Sequence, residues 1–298
     1  MPELPEVHTT VTGLNKVLPG LKITDIWSGW FKTVKNHNNF PKFKKEIVGK
    51  NILKVERVGK NILIRLSGNK TLLVHMKMTG HFLYGNWEMR DGGWISIEDG
   101  ALKDPFNRFI HHLFSLSNGK QLALSDMRKF AKILILNTDK VSIHSDLKNL
   151  GPEPLDKRFT LKTLAERLGG KPNGKIKSVL MDQHIIAGIG NIYSDEILWH
   201  SGIHPEEKVI NISSEKFKKI LSSTKEILKK SIAHGGDSMS DYRNIYGEKG
   251  NFQNLHKAYR QTGKKCSKQK CSGTITKIKV GGRSAHFCNK HQKLVGKK

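Results

Sequence analysis

Two groups of residues in this sequence have the types and spacing to do chemistry. The first is the opening run Met1-Pro2-Glu3-Leu4-Pro5-Glu6. If Met1 is removed, Pro2 offers a secondary α-amine. Reference α-amino pKa values lie near ~7.7–8, well below the ~10.4 of lysine, so much of such an amine is unprotonated at neutral pH. An unprotonated secondary amine can add to a sugar C1′ and give an iminium. Glu3 beside it and Glu6 one turn on supply a general acid and a group to orient the amine. The second group is Cys266-x4-Cys271-x16-Cys288-x2-His291. Two close ligand pairs separated by a longer span suit a tetrahedral zinc ion, each pair supplied by a tight knuckle. With all four positions filled by protein, that zinc is expected to be structural. His286 competes with His291 as fourth ligand, and its place before Cys288 makes it the poorer choice.

The whole chain says what this chemistry is for. It has 298 residues, 52 Lys or Arg against 26 Asp or Glu, and a formal charge of +26. Solubility needs far less, so a polyanionic partner is expected, with nucleic acid ahead of anionic membrane. The last 50 residues hold 14 Lys or Arg and no acid. No apolar run is long enough to span a membrane. The start lacks the basic-then-apolar pattern of a signal peptide. Three cysteines, all near the end, argue against a secreted disulfide scaffold. A soluble, intracellular protein facing nucleic acid is expected.

The elements that must position these groups are legible in outline. Pro5 and Glu6 suit a first helical turn, Val7, Val11, Leu14 and Leu18 recur at helical spacing, and Pro19-Gly20 stops the run. From about residue 23 to 136 the texture is β-like, with runs at Ile52 to Val58, Ile62 to Leu66, Thr71 to Met76, Phe109 to Leu116 and Gln121 to Leu124. Asn118-Gly119 predicts a hairpin between the last two. This half reads as a β-sandwich or barrel with one helix at its start. Leu150-Gly-Pro-Glu-Pro-Leu155 is a joint. Beyond it helices are predicted over Leu161 to Leu168, Lys175 to Met181, Ile192 to His200 and Ser213 to Ala233. Strands over Ile275 to Val280 and Arg283 to Phe287 would carry the metal pairs.

The opening Met1-Pro-Glu-Leu-Pro-Glu-Val7 resembles that of the formamidopyrimidine-DNA glycosylase family, which has endonuclease VIII as its sister branch. The resemblance continues in collinear blocks through His75-Met-Lys-Met-Thr-Gly80, Asp126-Met-Arg-Lys-Phe130, the joint, Ile186-Ala-Gly-Ile-Gly-Asn-Ile-Tyr193 with Gly202-Ile-His-Pro205, and Gly281-Gly-Arg-Ser-Ala-His-Phe-Cys288. It implies an α+β chain of two domains: an N-terminal β-sandwich with a leading helix, and a helix–two-turn–helix domain with a zinc finger. The implied segments are a catalytic domain 1–136, a linker 137–156, a helical domain 157–236, a lesion-recognition loop region 237–260 and a finger 261–298.

The resemblance also assigns roles. Pro2 would be the nucleophile, Glu3 the acid protonating the opened sugar, Glu6 a holder of the amine, and Lys60 the catalytic loop lysine. Lys60, His75, Asn191 and Arg283 would clamp phosphates. Met78, Arg128 and Phe130 would fill the gap left by a flipped nucleotide, whose unstacking costs a few kcal/mol. Ala131 stands where the family often has glycine, which is expected to alter that loop slightly. The long segment from His234 to Phe252 resembles the branch that excises oxidised purines, 8-oxoguanine and formamidopyrimidines, with strand cleavage by β,δ-elimination. The alternatives are the same fold acting on oxidised pyrimidines or abasic sites, and a non-catalytic damaged-DNA-binding protein. The expected partner is double-stranded DNA carrying oxidised bases, bound by a monomer in a bacterial-type cytoplasm at the nucleoid, with one structural zinc.

Overall fold

The computed structural model describes residues 1–239 and 241–295. Ser240, in the 237–260 loop region, and residues 296–298, in the 261–298 finger, lie outside the described residues. The chain forms two compact units: Met1–Lys148 with His234–Gln253, and Asn149–Ala233 with Asn254–Lys298.

In the first unit, helix α1 (Leu4–Val17) starts at the N-cap Glu3 with Pro5 in its first turn. Its Val7, Val11 and Leu14 enter the main core, as the helical spacing requires. Strand β1 (Ile23–Ser28) is followed by α2 (Phe40–Ile47), then β2 (Ile52–Val58), β3 (Asn61–Leu66), β4 (Lys70–His75), β5 (His81–Gly85), β6 (Trp87–Arg90), β7 (Gly93–Ser96), β8 (Ile110–Leu116), β9 (Gln121–Ser125) and β10 (Lys132–Asn137). The expectation of one helix in this half is therefore corrected by α2. That helix spans two turns, is capped by the Asn39 side chain on the Lys42 N–H, and buries only Phe43 and Ile47. Two buried residues give too short a period to read as a helix.

Eight of the strands make two four-stranded antiparallel sheets, in the orders β1-β8-β9-β5 and β10-β4-β3-β2. Ile26, Phe82, Phe114 and Leu124 of one sheet share a core with Ile62, Ile64, Val74 and Ile133 of the other, which makes the unit a sandwich. The first sheet is also buried on its other face, where Leu83, Leu113 and Ala123 meet Trp87, the first residue of the β6–β7 hairpin. Burial on both faces explains why β9 reads as a nearly continuous apolar run. Gly119, at φ 80°, makes the β8–β9 hairpin turn.

Residues 234–253 are fastened onto this sandwich. Ile245 lies in its core, and its carbonyl accepts the Tyr84 N–H at 2.7 Å. The fully buried Arg243 pairs with Asp104 at 3.1 Å.

The second unit holds α3 (Leu161–Gly169), α4 (Ile176–Met181), α5 (Asn191–Ser201), α6 (Ser214–Ala233) and the hairpin β11 (Ile275–Val280) with β12 (Arg283–Cys288). Helix α5 is buried nearly all round, from Tyr193 to Trp199, so it is the central helix of the unit. Gly202 closes it in the left-handed conformation that glycine adopts without penalty. The α+β, two-domain architecture read from the sequence is the one observed.

Candidate active site and nucleic-acid interface

The N-terminus of α1 is organised by one carboxylate. Glu3 and Glu6 are both buried. Glu6 Oε2 accepts the Glu3 N–H at 2.8 Å, while its Oε1 accepts the Asp237 N–H at 2.7 Å. Glu6 thus fixes the backbone one residue from Pro2 and, with the other oxygen, the start of the 237–260 segment. Tyr242 donates its hydroxyl to the Glu6 carbonyl at 3.0 Å. Burial pushes the Tyr242 phenol well above its ordinary pKa, so it stays a donor. Gly236 has φ +84°, and a Cβ there would lie 2.9 Å from Glu6 Oε1 and 3.3 Å from Glu6 Cα. Only glycine lets this chain approach the carboxylate so closely.

Lys60 sits in the tight turn between β2 and β3, after Gly59 at φ 58°, and is only 5% exposed. It is no solvated surface lysine. His75, at the end of β4, pairs with Asn61 of β3, which brings it to the neighbourhood of Lys60. Burial pulls the His75 pKa down to about 3, and the Lys77 and Lys60 cations pull the same way. The ring is therefore neutral at physiological pH. Its Nδ1 accepts the Lys77 N–H at 2.9 Å, which leaves the ring proton on Nε2, a donor suited to a phosphate oxygen.

Met78 lies half-buried in the turn after β4, whereas Arg128 and Phe130 are exposed in the turn after β9. The Arg128 guanidinium rests 4.7 Å above the Phe130 ring. Phe130 is 52% exposed, so its ring is accessible from solvent. Ala131 accommodates its position: it is buried, its φ is not left-handed, and its N–H reaches Asp126 Oδ2 at 2.7 Å. The left-handed residue of this turn is Lys129, at φ 58°, so the expected disturbance at Ala131 does not arise.

Asn191 and Arg283 belong to the second unit. Asn191 opens α5 behind Gly188, at φ 92°, and the N-cap Gly190. Arg283 is exposed at the head of β12, just after Gly281 and Gly282, both left-handed. The finger is held to the helices by a buried charge network. Asp195 on α5 takes the Lys177 ammonium at 2.5 Å, and its other oxygen takes the His286 ring Nδ1 at 2.8 Å and backbone N–H at 3.0 Å. His286 is thus committed to Asp195. Next to it, Glu196 accepts three successive N–H groups, of Lys257, Ala258 and Tyr259, at 2.9, 2.9 and 2.8 Å.

The four remaining donors converge. The ligand atoms of Cys266, Cys271, Cys288 and His291 all lie within 4.8 Å of one another. Cys271 Sγ is 3.6 Å from Cys288 Sγ and 3.7 Å from His291 Nδ1, and Cys266 Sγ is 3.4 Å from the same nitrogen. A tetrahedral ion with metal–sulfur bonds of about 2.3 Å spaces its sulfurs about 3.8 Å apart, so the set could hold one metal ion. His291 Nε2 faces the Trp199 carbonyl at 3.1 Å, which fixes the tautomer that turns the Nδ1 lone pair to the thiols.

Several residues that shape these sites have no role assigned from sequence: Thr79, Asp126, Asp195, Glu196 and Tyr242. Each is buried and polar, and a buried carboxylate leaves no periodic mark. The aspartate heading Asp-x-Arg-x-Phe and the adjacent acids of α5 are the only local signals.

Comparison with known proteins follows the same division. Residues 1–133 match the model of the formamidopyrimidine-DNA glycosylase N-terminal domain, and residues 150–243 match that of the family's H2TH domain. The chain is 38% identical over 294 residues to the formamidopyrimidine-DNA glycosylase of Pelotomaculum thermopropionicum, covering 99% of this chain and 100% of that one. Among solved structures it is similar to the Lactococcus lactis enzyme in complex with DNA containing an abasic site, with a TM-score of 0.84, 34% identity, and 98% and 99% of the two chains covered. It is also similar to MutM in complex with DNA containing carbocyclic 8-oxo-G, with a TM-score of 0.83, 34% identity, and 98% and 100% covered. Among the described residues no helix is long and apolar enough to cross a membrane. With models matched in both units and relatives matched from end to end, this chain belongs to the formamidopyrimidine-DNA glycosylase family.

Proposed function

We propose that the protein is a bifunctional DNA glycosylase and abasic-site lyase that excises oxidised purines, 8-oxoguanine and formamidopyrimidines, from double-stranded DNA. The observation that carries this is the Glu6 carboxylate, which fixes the Glu3 N–H beside Pro2 and the Asp237 N–H at the head of the lesion segment. With Met1 removed, the Pro2 nitrogen attacks C1′. The N–C1′ bond forms, the base leaves with the pair of the glycosidic bond and takes up the proton lost from the Pro2 nitrogen, and Glu3 protonates the ring oxygen as the sugar opens to the iminium. Lys60 and neutral His75 hold the phosphates, and Asn191 and Arg283 hold them from the second unit. The iminium then acidifies C2′ and permits loss of its proton with expulsion of the 3′ phosphate, followed by a second elimination that expels the 5′ phosphate. Cys266, Cys271, Cys288 and His291 would hold one structural zinc, which would order the finger.

In this reading residues 1–136 are the catalytic domain, 137–156 the linker, 157–236 the helical domain, 237–260 the lesion loop and 261–298 the finger. The protein acts as a monomer in a bacterial cytoplasm, at the nucleoid. Its relatives in complex with lesion-bearing DNA support the partner, and the charge of +26 supports the affinity.

The test is borohydride trapping on a duplex with one 8-oxoguanine opposite cytosine, beside a duplex with an oxidised pyrimidine. The expected adduct maps to Pro2 and forms on the purine lesion, and Pro2→Gly, which leaves only a primary amine, lowers strand cleavage strongly while affinity for damaged DNA stays largely unchanged. An adduct on the pyrimidine duplex alone would move the substrate to the sister branch. No adduct on either, with Met1 shown to be absent, would leave a damaged-DNA-binding protein.

A further inference from the structure

The turn after β4 and the turn after β9 come from distant parts of the first unit, yet one buried polar pair joins them. Thr79 and Asp126 are 4% and 1% exposed. Thr79 donates its hydroxyl to Asp126 Oδ1 and accepts the Arg128 N–H at 3.0 Å. The same Oδ1 also receives the Arg128 N–H at 3.3 Å, and Oδ2 receives the Ala131 N–H at 2.7 Å. The Asp126 N–H is held by the Phe109 carbonyl at 2.9 Å, and the Asp126 carbonyl faces the His111 ring at 3.0 Å, so the carboxylate is anchored from behind. Each turn contains a non-glycine residue in the left-handed region, Lys77 at φ 56° and Lys129 at φ 58°. Such residues cost free energy and persist where surrounding bonds over-determine them. The Lys129 N–H is held by the Asp126 carbonyl at 3.1 Å and the Lys77 N–H by the His75 ring at 2.9 Å, and the Thr79–Asp126 pair joins the two turns. Met78 precedes Thr79 directly, and Arg128 and Phe130 flank Lys129, so all three lie within four positions of the pair.

We propose that Thr79 and Asp126 are positioning residues that lock the two turns together, so that Met78, Arg128 and Phe130 enter the duplex as one unit. This rests on the DNA-binding part of the reading above. Without the clasp, each turn is free to adopt its own conformation, and the wedge and the stacking ring arrive separately. A substitute that keeps shape fails chemically. Asp126→Asn would turn an NH2 toward at least one group that is itself a donor. Thr79→Val would leave neither a proton for the carboxylate nor a lone pair for the Arg128 N–H.

The readout needs no catalysis. A duplex carries a tetrahydrofuran abasic analogue with 2-aminopurine on the opposite strand, and the fluorescence change on binding reports insertion into the gap. Thr79→Val is expected to slow insertion about tenfold, the effect of losing a buried hydrogen bond, and Thr79→Ser to restore it. Met78→Ala and Phe130→Ala are expected to be strongly non-additive in the parent protein and to multiply independently in Thr79→Val. Cleavage of a single-stranded abasic oligonucleotide, which has no gap to fill, stays unchanged in Thr79→Val and reports an intact fold. Independent multiplication in both backgrounds, or insertion at the parent rate in Thr79→Val, overturns the proposal. Equal losses on duplex insertion and single-strand cleavage also overturn it, by reducing the pair to a fold requirement. Failure of the catalytic reading would show separately, as an absent borohydride adduct in the parent protein.

Discussion

The two units use buried carboxylates in opposite settings. In the first, Glu6 and Asp126 collect backbone N–H groups at the edge of a sandwich whose core is apolar on both sides of one sheet. Glu6 holds the start of α1 and of the 237–260 segment, and Asp126 holds the turn that carries the exposed Arg128 and Phe130. In the second unit, Asp195 and Glu196 lie on the central helix itself, and they bind a buried lysine, a histidine and the entry to the finger. The apolar cluster between α5 and the finger is small, made of Trp199, Ala258, Cys266, Ile275 and Cys288, two of which are metal-binding candidates. Charge is local trim in one unit and framework in the other.

Removing the metal should break the comparison most visibly. Structural zinc contributes about 10–16 kcal/mol of apparent folding free energy in small fingers. Chelation is expected to erase hydrogen-exchange protection over residues 266–291 and to weaken DNA binding, while β3 and β4 keep theirs. Equal loss in both units would show that the sandwich depends on the finger after all.

Lys177→Met comes next. It leaves Asp195 buried opposite a neutral side chain, which costs about 3–5 kcal/mol when a buried pair loses one member. Urea unfolding should show the second unit melting earlier and the first unmoved. Adding Asp195→Leu should recover part of the loss, since removing both charges is less costly than stranding one. If the single change left the second unit's midpoint where it was, the framework role of the pair would be gone.

Acid should act in a graded way on the first unit. Burial pulls His75 and His112 down to about 3, and His81 down as well. The unfolded chain binds their protons near pH 6.5 and the folded unit does not, so these groups reduce stability as pH falls from about 6.5 toward 3. Above 6.5 they contribute no slope. A melting temperature that stayed flat between pH 7 and 5 would contradict the burial of these rings.

Legibility in the sequence follows the physics of each element. The helices of the second unit show because α3 and α6 repeat an apolar spacing and α5 is bounded by Gly190 and Gly202, and their observed limits, 161–169, 176–181, 191–201 and 214–233, fall within a residue or so of those read. Strands β1, β5, β6, β7 and β10 do not stand out, β6 and β7 being only four residues each. β1 carries a bulge at Asp25 that breaks its alternation, and β5 is a five-residue strand. β10, Lys-Ile-Leu-Ile-Leu-Asn, buries both faces and so has no alternation to read. The metal set is legible because four ligands at knuckle spacing are rare by chance, and the partner of each ring settles His291 over His286. The carboxylates that hold the turns are not legible. Their partners are backbone amides up to 231 residues away, and an amide has no sequence signature.

The three N–H groups that Glu196 receives also set an order of assembly. The carboxylate and its first partner, Lys257, are 61 residues apart in the chain. Closing so long a loop is entropically slow to begin and gains its reward only once a preformed receptor exists. Helix α5 can form from local contacts; the chain entering the finger must wait for it. The chain entering the finger is therefore expected to become ordered after α5. Pulsed hydrogen exchange would find the amides of 257–259 protected after those of α5, and a simultaneous rise would remove the dependence.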